Sequence, residues 1–224
     1  MSSSRQLAFA FEHRPSLTGD DFLVAPSNRD AVAWLDAWPD WPAPFLVIHG
    51  PAGSGKSHLG QVFRARAGAL EVAPADLDGP GFPDLVASAR EVWIDDVDRR
   101  LPAEALLHLH NAIASRGGHL LLSAARPPSV WDIPLADLRS RILGAPAVAL
   151  GRPDDELIKA VLAKLFSDRQ VRIDVDVVEY LARRMERSLS EAERLVSVID
   201  RAALAQRRDV TVPFVREIVF PPEP

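Results

Sequence analysis

Cysteine is absent from all 224 residues. That excludes a disulfide framework, a thiolate zinc site and a cysteine nucleophile, and it fits a reducing cytoplasm. Long apolar runs are missing too: no stretch approaches the ~18 apolar residues of a membrane span. Met1 to Phe11 carries only Arg5 as a basic residue and no segment suited to a signal peptide. Positive charge is short as well. With 26 Lys and Arg against 31 Asp and Glu, the formal net charge is −5, so the molecule lacks the field that carries non-specific binding to phosphate backbones, and direct DNA binding is disfavoured. The basic pairs Arg99-Arg100, Arg183-Arg184 and Arg207-Arg208 read as solvated helix ends.

What is present is ordinary in bulk: 47% hydrophobic and 25% charged residues, the balance of a globular chain long enough for one α/β core and a small satellite. Residues 1–20 read as a tail, polar at Met1 to Arg5 and then alternating through Gln6-Leu-Ala-Phe-Ala-Phe11. Residues 21–151 read as an α/β core. Asn28 to Trp38 has apolar residues at helical spacing, with Ser27 or Asn28 placed to cap it and Pro39, Pro42 and Pro44 to stop it. Short apolar runs then alternate with helical patterns, as a parallel sheet with crossover helices requires. The expected strands are Phe45 to His49, Leu70 to Val72, Val92 to Asp95, His119 to Ser123 and Ala147 to Leu150; helices are expected near Lys56 to Arg66, Asp84 to Ala89, Ala103 to Arg116 and Ala136 to Leu143. Beyond Gly151-Arg-Pro153 the periodicity is helical throughout, so residues 152–224 read as a small all-helical unit. Its helices are expected at Asp154 to Asp168, Val175 to Arg187, Glu191 to Gln206 and Pro213 to Val219, with cap signals at Asp174, Ser188 and Thr211.

Three features carry chemistry. Gly50-Pro51-Ala52-Gly53-Ser54-Gly55-Lys56-Ser57 follows an apolar strand and opens a helix, the context of a P-loop. Its glycines let backbone N–H groups wrap the phosphates of ATP or ADP, Lys56 reaches the β and γ phosphates, and Ser57 ligates Mg²⁺; His58 directly after it joins the expected nucleotide site. Glu91-Val-Trp-Ile-Asp95-Asp96 delivers two acids at the end of a buried strand, a Walker B pattern in which Asp95 holds Mg²⁺ through water and Asp96 orients the attacking water. Leu138-Arg-Ser-Arg-Ile142 offers Arg141, with Arg139 an equal candidate by spacing, as an arginine that could reach a neighbour's nucleotide. His108, His110 and His119 make a poor metal set, because helix positions i and i+2 face different ways. The tail peptide Gln6, Leu7, Phe9 and Phe11 is open to two readings: an edge strand on its own domain, or a segment that a partner covers.

Taken together these motifs resemble the AAA+ class and, within it, the DnaA-like branch. Asp21 to Arg29 is similar to the segment that precedes the first helix in that branch and helps enclose adenine, which assigns Asn28 to the nucleotide. Leu138 to Gly144 is similar to the arginine-finger box, placing the finger at Arg141. Thr211 to Val219 resembles the ending of Hda-type regulators of replication initiation, and Gln6 to Phe11 is similar to their sliding-clamp-binding peptide. The resemblance implies a protein held on the β clamp of DNA polymerase III that stimulates hydrolysis of DnaA-bound ATP and so prevents re-initiation. Arg141 would act in trans, and a homodimer is compatible with this picture. The chain stops at Pro224 without the basic helix-turn-helix domain of an initiator, which favours the regulator.

Two positions depart from the branch. The polar sensor on the fourth strand falls at Ala125, which has no side-chain hydrogen bond to offer, and the sensor arginine of the lid falls at Ser190, with Arg194 one turn later and about 5.4 Å along the helix. The first departure argues against the rival reading, a motor or DnaC-like helicase loader driven by its own hydrolysis. At most a weak ATPase is expected.

Overall fold

The structure, a computed structural model, describes residues 13–14 and 22–221; the tail peptide Gln6, Leu7, Phe9 and Phe11 lies outside them. A two-residue strand β1 (His13–Arg14) pairs antiparallel with β2 (Phe22–Leu23), and a helix α1 (Arg29–Asp36) follows. The core then alternates β3 (Phe45–His49), α2 (Lys56–Ala67), β4 (Leu70–Val72), α3 (Phe82–Ser88), β5 (Glu91–Ile94), α4 (Ala103–Ser115), β6 (His119–Ala124), α5 (Ala136–Gly144) and β7 (Ala147–Ala149). The five strands β3 to β7 form one parallel sheet in the order β4-β5-β6-β3-β7.

A parallel sheet is covered on both faces, so its strands can be apolar at every position, and the period of two decides which layer each side chain joins. Phe45, Val47, Val92, Ile94, Leu120 and Leu122 point into one layer with Leu106 and Leu109 of α4 and Leu138 and Ile142 of α5. Leu46, Ile48, Trp93 and Leu121 point into the other, with Leu35 of α1 and Leu59 and Phe63 of α2. Gly60 on α2 makes the second layer fit: a Cβ there would lie 2.0 Å from Trp93 Cε2, so the indole occupies the space a side chain would take.

Four helices follow: α6 (Asp155–Asp168), α7 (Val175–Arg184), α8 (Leu189–Gln206) and α9 (Val212–Val219). They enclose a separate apolar cluster that includes Leu162, Phe166, Leu181, Leu195, Ile199 and Phe214. A small fourth cluster, Leu23, Ala25, Leu157 and Ala160 with Leu189 against it, joins these helices to the segment before α1. Among the described residues, no helix is long and apolar enough to cross a membrane.

Boundaries shift where capping chemistry decides them. Ser188 accepts from the Glu191 amide at 3.3 Å and starts α8 at Leu189, two residues before the expected start. The Glu191 carboxylate binds Arg194 instead of closing a capping box. Asp154 and Thr211 cap α6 and α9 through the amides of Leu157 and Phe214, whereas Asp174 precedes α7 without a side-chain cap bond. Asn28 sits at the cap position of α1 but turns backward: its Oδ1 accepts from Ala25 N at 2.8 Å and its Nδ2 donates to Leu23 O at 2.9 Å. Asn28 therefore fixes the turn before α1 rather than the helix start. The basic pairs are mostly engaged: Arg99 with Asp96, Arg100 with Asp78, Arg183 with Glu179, and Arg208 with Glu217.

Candidate functional site

β3 ends at His49 and the chain turns over Gly50, whose amide donates to Ala124 O at the end of β6. The loop reaches α2 through two glycines in the left-handed region, Gly53 at φ 71° and Gly55 at φ 104°, backbone that other residues adopt only under strain. Lys56 is 7% exposed. Its Nζ donates to the carbonyls of Gly50 at 2.9 Å and Pro51 at 3.0 Å, so the ammonium curls under the loop. Ser54 Oγ is buried and has no hydrogen-bond partner among the described residues. Ala52, Ser57 and His58 are exposed on the outer side. A curled loop of amides, with a lysine that meets no carboxylate and a hydroxyl that meets no partner among the described residues, fits the phosphates of a nucleotide.

Asp95 follows β5, next to the loop. Its Oδ2 accepts from Ser57 Oγ at 2.7 Å; its Oδ1 accepts from Ser123 Oγ at 2.6 Å and from the Asp96 amide at 2.9 Å. One hydroxyl and one carboxylate, with phosphate oxygens and water, are a donor set that Mg²⁺ accepts, since it keeps most of its waters. Asp96 holds the left-handed conformation at φ 50° and pairs with Arg99. Such strain in a non-glycine residue is costly and recurs at functional turns. Asp98, nearly enclosed at 3% side-chain exposure, accepts from the amides of Ala125 and Arg126 and from Arg126 Nε. The backbone at Ala125 is thus already engaged, and its methyl has nothing to add.

The lid meets the loop at the root of α8. Leu189 N donates to Gly53 O at 2.8 Å, Ser188 sits where a Cβ on Gly53 would need to be, and Leu189 Cδ1 would lie 3.1 Å from a Cβ on Gly55. The next polar groups on α8 look to each other. Ser190 Oγ is 2.7 Å from Ser188 Oγ, and Arg194 makes two 2.7 Å bonds to Glu191. That pairing holds the Glu191 carboxyl below its ordinary pKa.

Arg141 lies elsewhere. Asp137, one turn back on α5, takes its Nε and Nη2 at 2.9 and 3.1 Å, while Nη1 is 3.3 Å from His110 Nδ1. An arginine only donates, so Nδ1 accepts in that contact, whereas its 3.4 Å contact with Asn111 Oδ1 requires the protonated Nδ1. Burial, reinforced by the Arg141 charge, holds the His110 pKa below the ordinary imidazole value, and Arg141 holds the Asp137 carboxyl low. The His110 ring stacks on Phe45, at the opposite end of β3 from the loop. Four residues of strand, roughly 13 Å, separate the two ends. Arg139 is exposed on the same helix. His119 pairs with Glu91, away from His110.

Sequence reasoning missed Ser123, Asp98 and the Ser188-Leu189 contact. Ser123 had a signal, as a polar residue inside an apolar strand. The contact had none, since nothing in Ser188-Leu189 indicates which loop it meets.

Parallel strands in the observed order, a phosphate-type loop after β3, an acidic pair after β5 and a helical lid rooted on that loop define an AAA+ P-loop protein. More narrowly, the chain is an Hda/DnaA-like AAA+ protein. Residues 154–219 match the Hda lid domain. The chain is 32% identical to the chromosomal replication initiator protein DnaA of Thermomicrobium roseum, over 92% of its own length and 50% of that protein's, so it spans half of this curated relative. Domain III of the Thermotoga maritima replication initiation protein DnaA superposes with a TM-score of 0.76 at 19% identity, covering 88% of this chain and 93% of that one. AMPPCP-bound DnaA from Aquifex aeolicus gives 0.68 at 20% identity, over 88% and 71%. At such identities the likeness is one of fold.

Proposed function

We propose that this chain is a nucleotide-dependent, cytoplasmic regulator of replication initiation that inactivates a DnaA-type initiator in trans. Its P-loop holds ATP or ADP with Mg²⁺ as a conformational ligand. Gln6, Leu7, Phe9 and Phe11 bind the sliding clamp of the replicative polymerase, and Arg141 completes the initiator's site. The observation that carries this reading is the position of Arg141: its guanidinium lies at the Phe45 end of β3, while Lys56 lies under the loop at the His49 end. An arginine so placed serves a neighbour's phosphates better than its own.

In this reading Gly53 and Gly55 let the loop amides converge on phosphate, and Lys56 exchanges the carbonyls of Gly50 and Pro51 for phosphate oxygens. Ser57 and Asp95 hold Mg²⁺, which neutralises phosphate charge when bound. Asn28, by locking the turn from Leu23 to Asn28, shapes the adenine side. Asp96 is placed to orient water, but Ala125 lacks a side-chain donor and its amide is taken by Asp98, so the chain's own turnover is slow. Ser190 and Arg194 stand ready on α8, Arg194 once Glu191 releases it.

The test is hydrolysis of initiator-bound ATP in the presence of DNA-loaded clamp. Stimulation is expected from the native chain. Arg141→Ala should lose most of it, since such fingers supply roughly 10³ to 10⁵ in rate, while retaining clamp and nucleotide binding. Gln6→Ala with Leu7→Ala should lose clamp binding with the fold intact. Full stimulation by Arg141→Ala would remove the trans assignment and leave Arg139 next in line. Rapid ATP turnover by the chain alone would favour the motor reading.

A further inference from the structure

Ser123 is the next-to-last residue of β6 and 1% exposed, and Trp93 on the adjacent strand β5 is also 1% exposed. Trp93 Nε1 lies 3.0 Å from Ser123 Oγ. An indole N–H can only donate, so it fills an acceptor position of the hydroxyl and leaves the single Ser123 proton to be placed. Two acceptors are in range: Asp95 Oδ1 at 2.6 Å and Ile94 O at 3.5 Å. The shorter wins, because hydrogen bonds weaken steeply at the longer distance. Asp95 Oδ1 then receives the Ser123 proton and the Asp96 amide, and Oδ2 receives the proton of Ser57. Both oxygens of the Asp95 side chain are thereby held. The direction of the Ser123 proton is thus set from its indole end.

That end is fixed. The Trp93 ring fills the space above Gly60, in the second turn of α2, the helix whose first turn carries Lys56 and Ser57. One helix therefore places Ser57 directly and Asp95 indirectly, through the indole and Ser123. We propose that Ser123, aligned by Trp93, is a positioning residue for the cation site: it holds the Asp95 side chain in the rotamer that lets Ser57 and Asp95 act on one divalent cation. The proposal rests on the nucleotide-binding reading of the P-loop. The alternative is that Ser123 only satisfies the buried indole N–H, in which case its loss costs stability and nothing else.

Cation dependence separates the two. The affinity of the full chain for a fluorescent ATP analogue is measured with Mg²⁺ and with EDTA, alongside thermal unfolding. The native chain should bind more tightly with Mg²⁺. Ser123→Ala should lose that gain, since removing a group that orients a metal ligand costs roughly tenfold to a hundredfold in metal affinity, with affinity in EDTA unchanged. Ser123→Thr, which keeps the hydroxyl, should restore it, and Trp93→Phe, which keeps the ring bulk without the N–H, should lose part of it. A Ser123→Ala protein that is less stable but shows the native Mg²⁺ gain overturns the proposal and leaves the nucleotide reading standing. So does equal weakening in both conditions. A native chain that binds the analogue in neither condition overturns the nucleotide reading itself, and this proposal with it.

Discussion

The core and the lid present polar groups to the same loop in opposite ways. In the core, Ser57, Asp95 and Ser123 come from three elements, and each bonds across 28 or 38 residues of sequence. Their positions are set by the sheet. On α8, Ser190 and Arg194 bond to Ser188 and Glu191, two and three residues away, so they are set by one helix and released by one rotamer change. The core's polar groups are thus preorganised, whereas those at the root of α8 keep a conformational choice.

The largest effects should come from the apolar clusters. Leu122→Ala in the sheet and Leu181→Ala in the lid each remove a fully buried side chain and should each cost about 2–5 kcal/mol. In thermal unfolding Leu122→Ala should lower the main transition, while Leu181→Ala should lower a separate lid transition. A single shared transition for both would break the division between the regions. Next is Gly53→Ala, which meets a left-handed φ and the Ser188 side chain together, a strain of about 1–3 kcal/mol. It should detach the root of α8 and weaken nucleotide binding while the core's far-ultraviolet dichroism persists.

The two regions should also titrate in different windows. Burial holds His49 and His110 in the core below their ordinary pKa, so the unfolded chain takes up protons first as pH falls through the ordinary imidazole value. Stability from these groups is full above that value and declines below it, toward their folded pKa. Glu191 in the lid is also held low; its contribution is present above the ordinary carboxyl value and is lost only as pH falls through its depressed one. Unfolding midpoints followed from about pH 7 to about pH 5 should therefore fall mainly for the core, with the slope reduced in His110→Phe. An equal decline in the lid would contradict this. The smallest effect is expected from Glu191→Ala: the pair with Arg194 is exposed, so stability should stay within the scatter of the measurement. A gain in nucleotide affinity would show that Arg194, once freed, reaches the site.

Most of the core was legible because its signals are local. Phe45 to His49 is a run of apolar residues between a proline and a glycine, and Gly53 and Gly55 mark left-handed turns by their identity. The expected strands fall within one residue of the observed ends. Asn28 was harder: its side chain can cap forward or bond backward with similar chemistry, and the backbone of Leu23 and Ala25, set by the small cluster with Leu157, decides it. Trp93 packs in the core, yet its N–H also bonds a serine on the next strand. No pattern in one strand reveals its register with another, so Ser123 becomes a site residue only when β5 and β6 are paired. The lowered pKa of His110 is likewise a tertiary fact, owed first to burial and then to the charge of an arginine 31 positions away.

The bond from Leu189 N to Gly53 O joins a phosphate-type loop to the root of an 18-residue helix, roughly 27 Å long at 1.5 Å per residue. Because α8 is packed into the lid cluster along its length, the lid turns with it, and rotation at the root is magnified at the far tip. A tilt of about 5° at Gly53 carries the far tip of the helix roughly 2 Å, and near that tip Leu204 stands 72% exposed. A rotation of the lid about this bond would thus be written at a larger scale on its outer surface than at the loop itself.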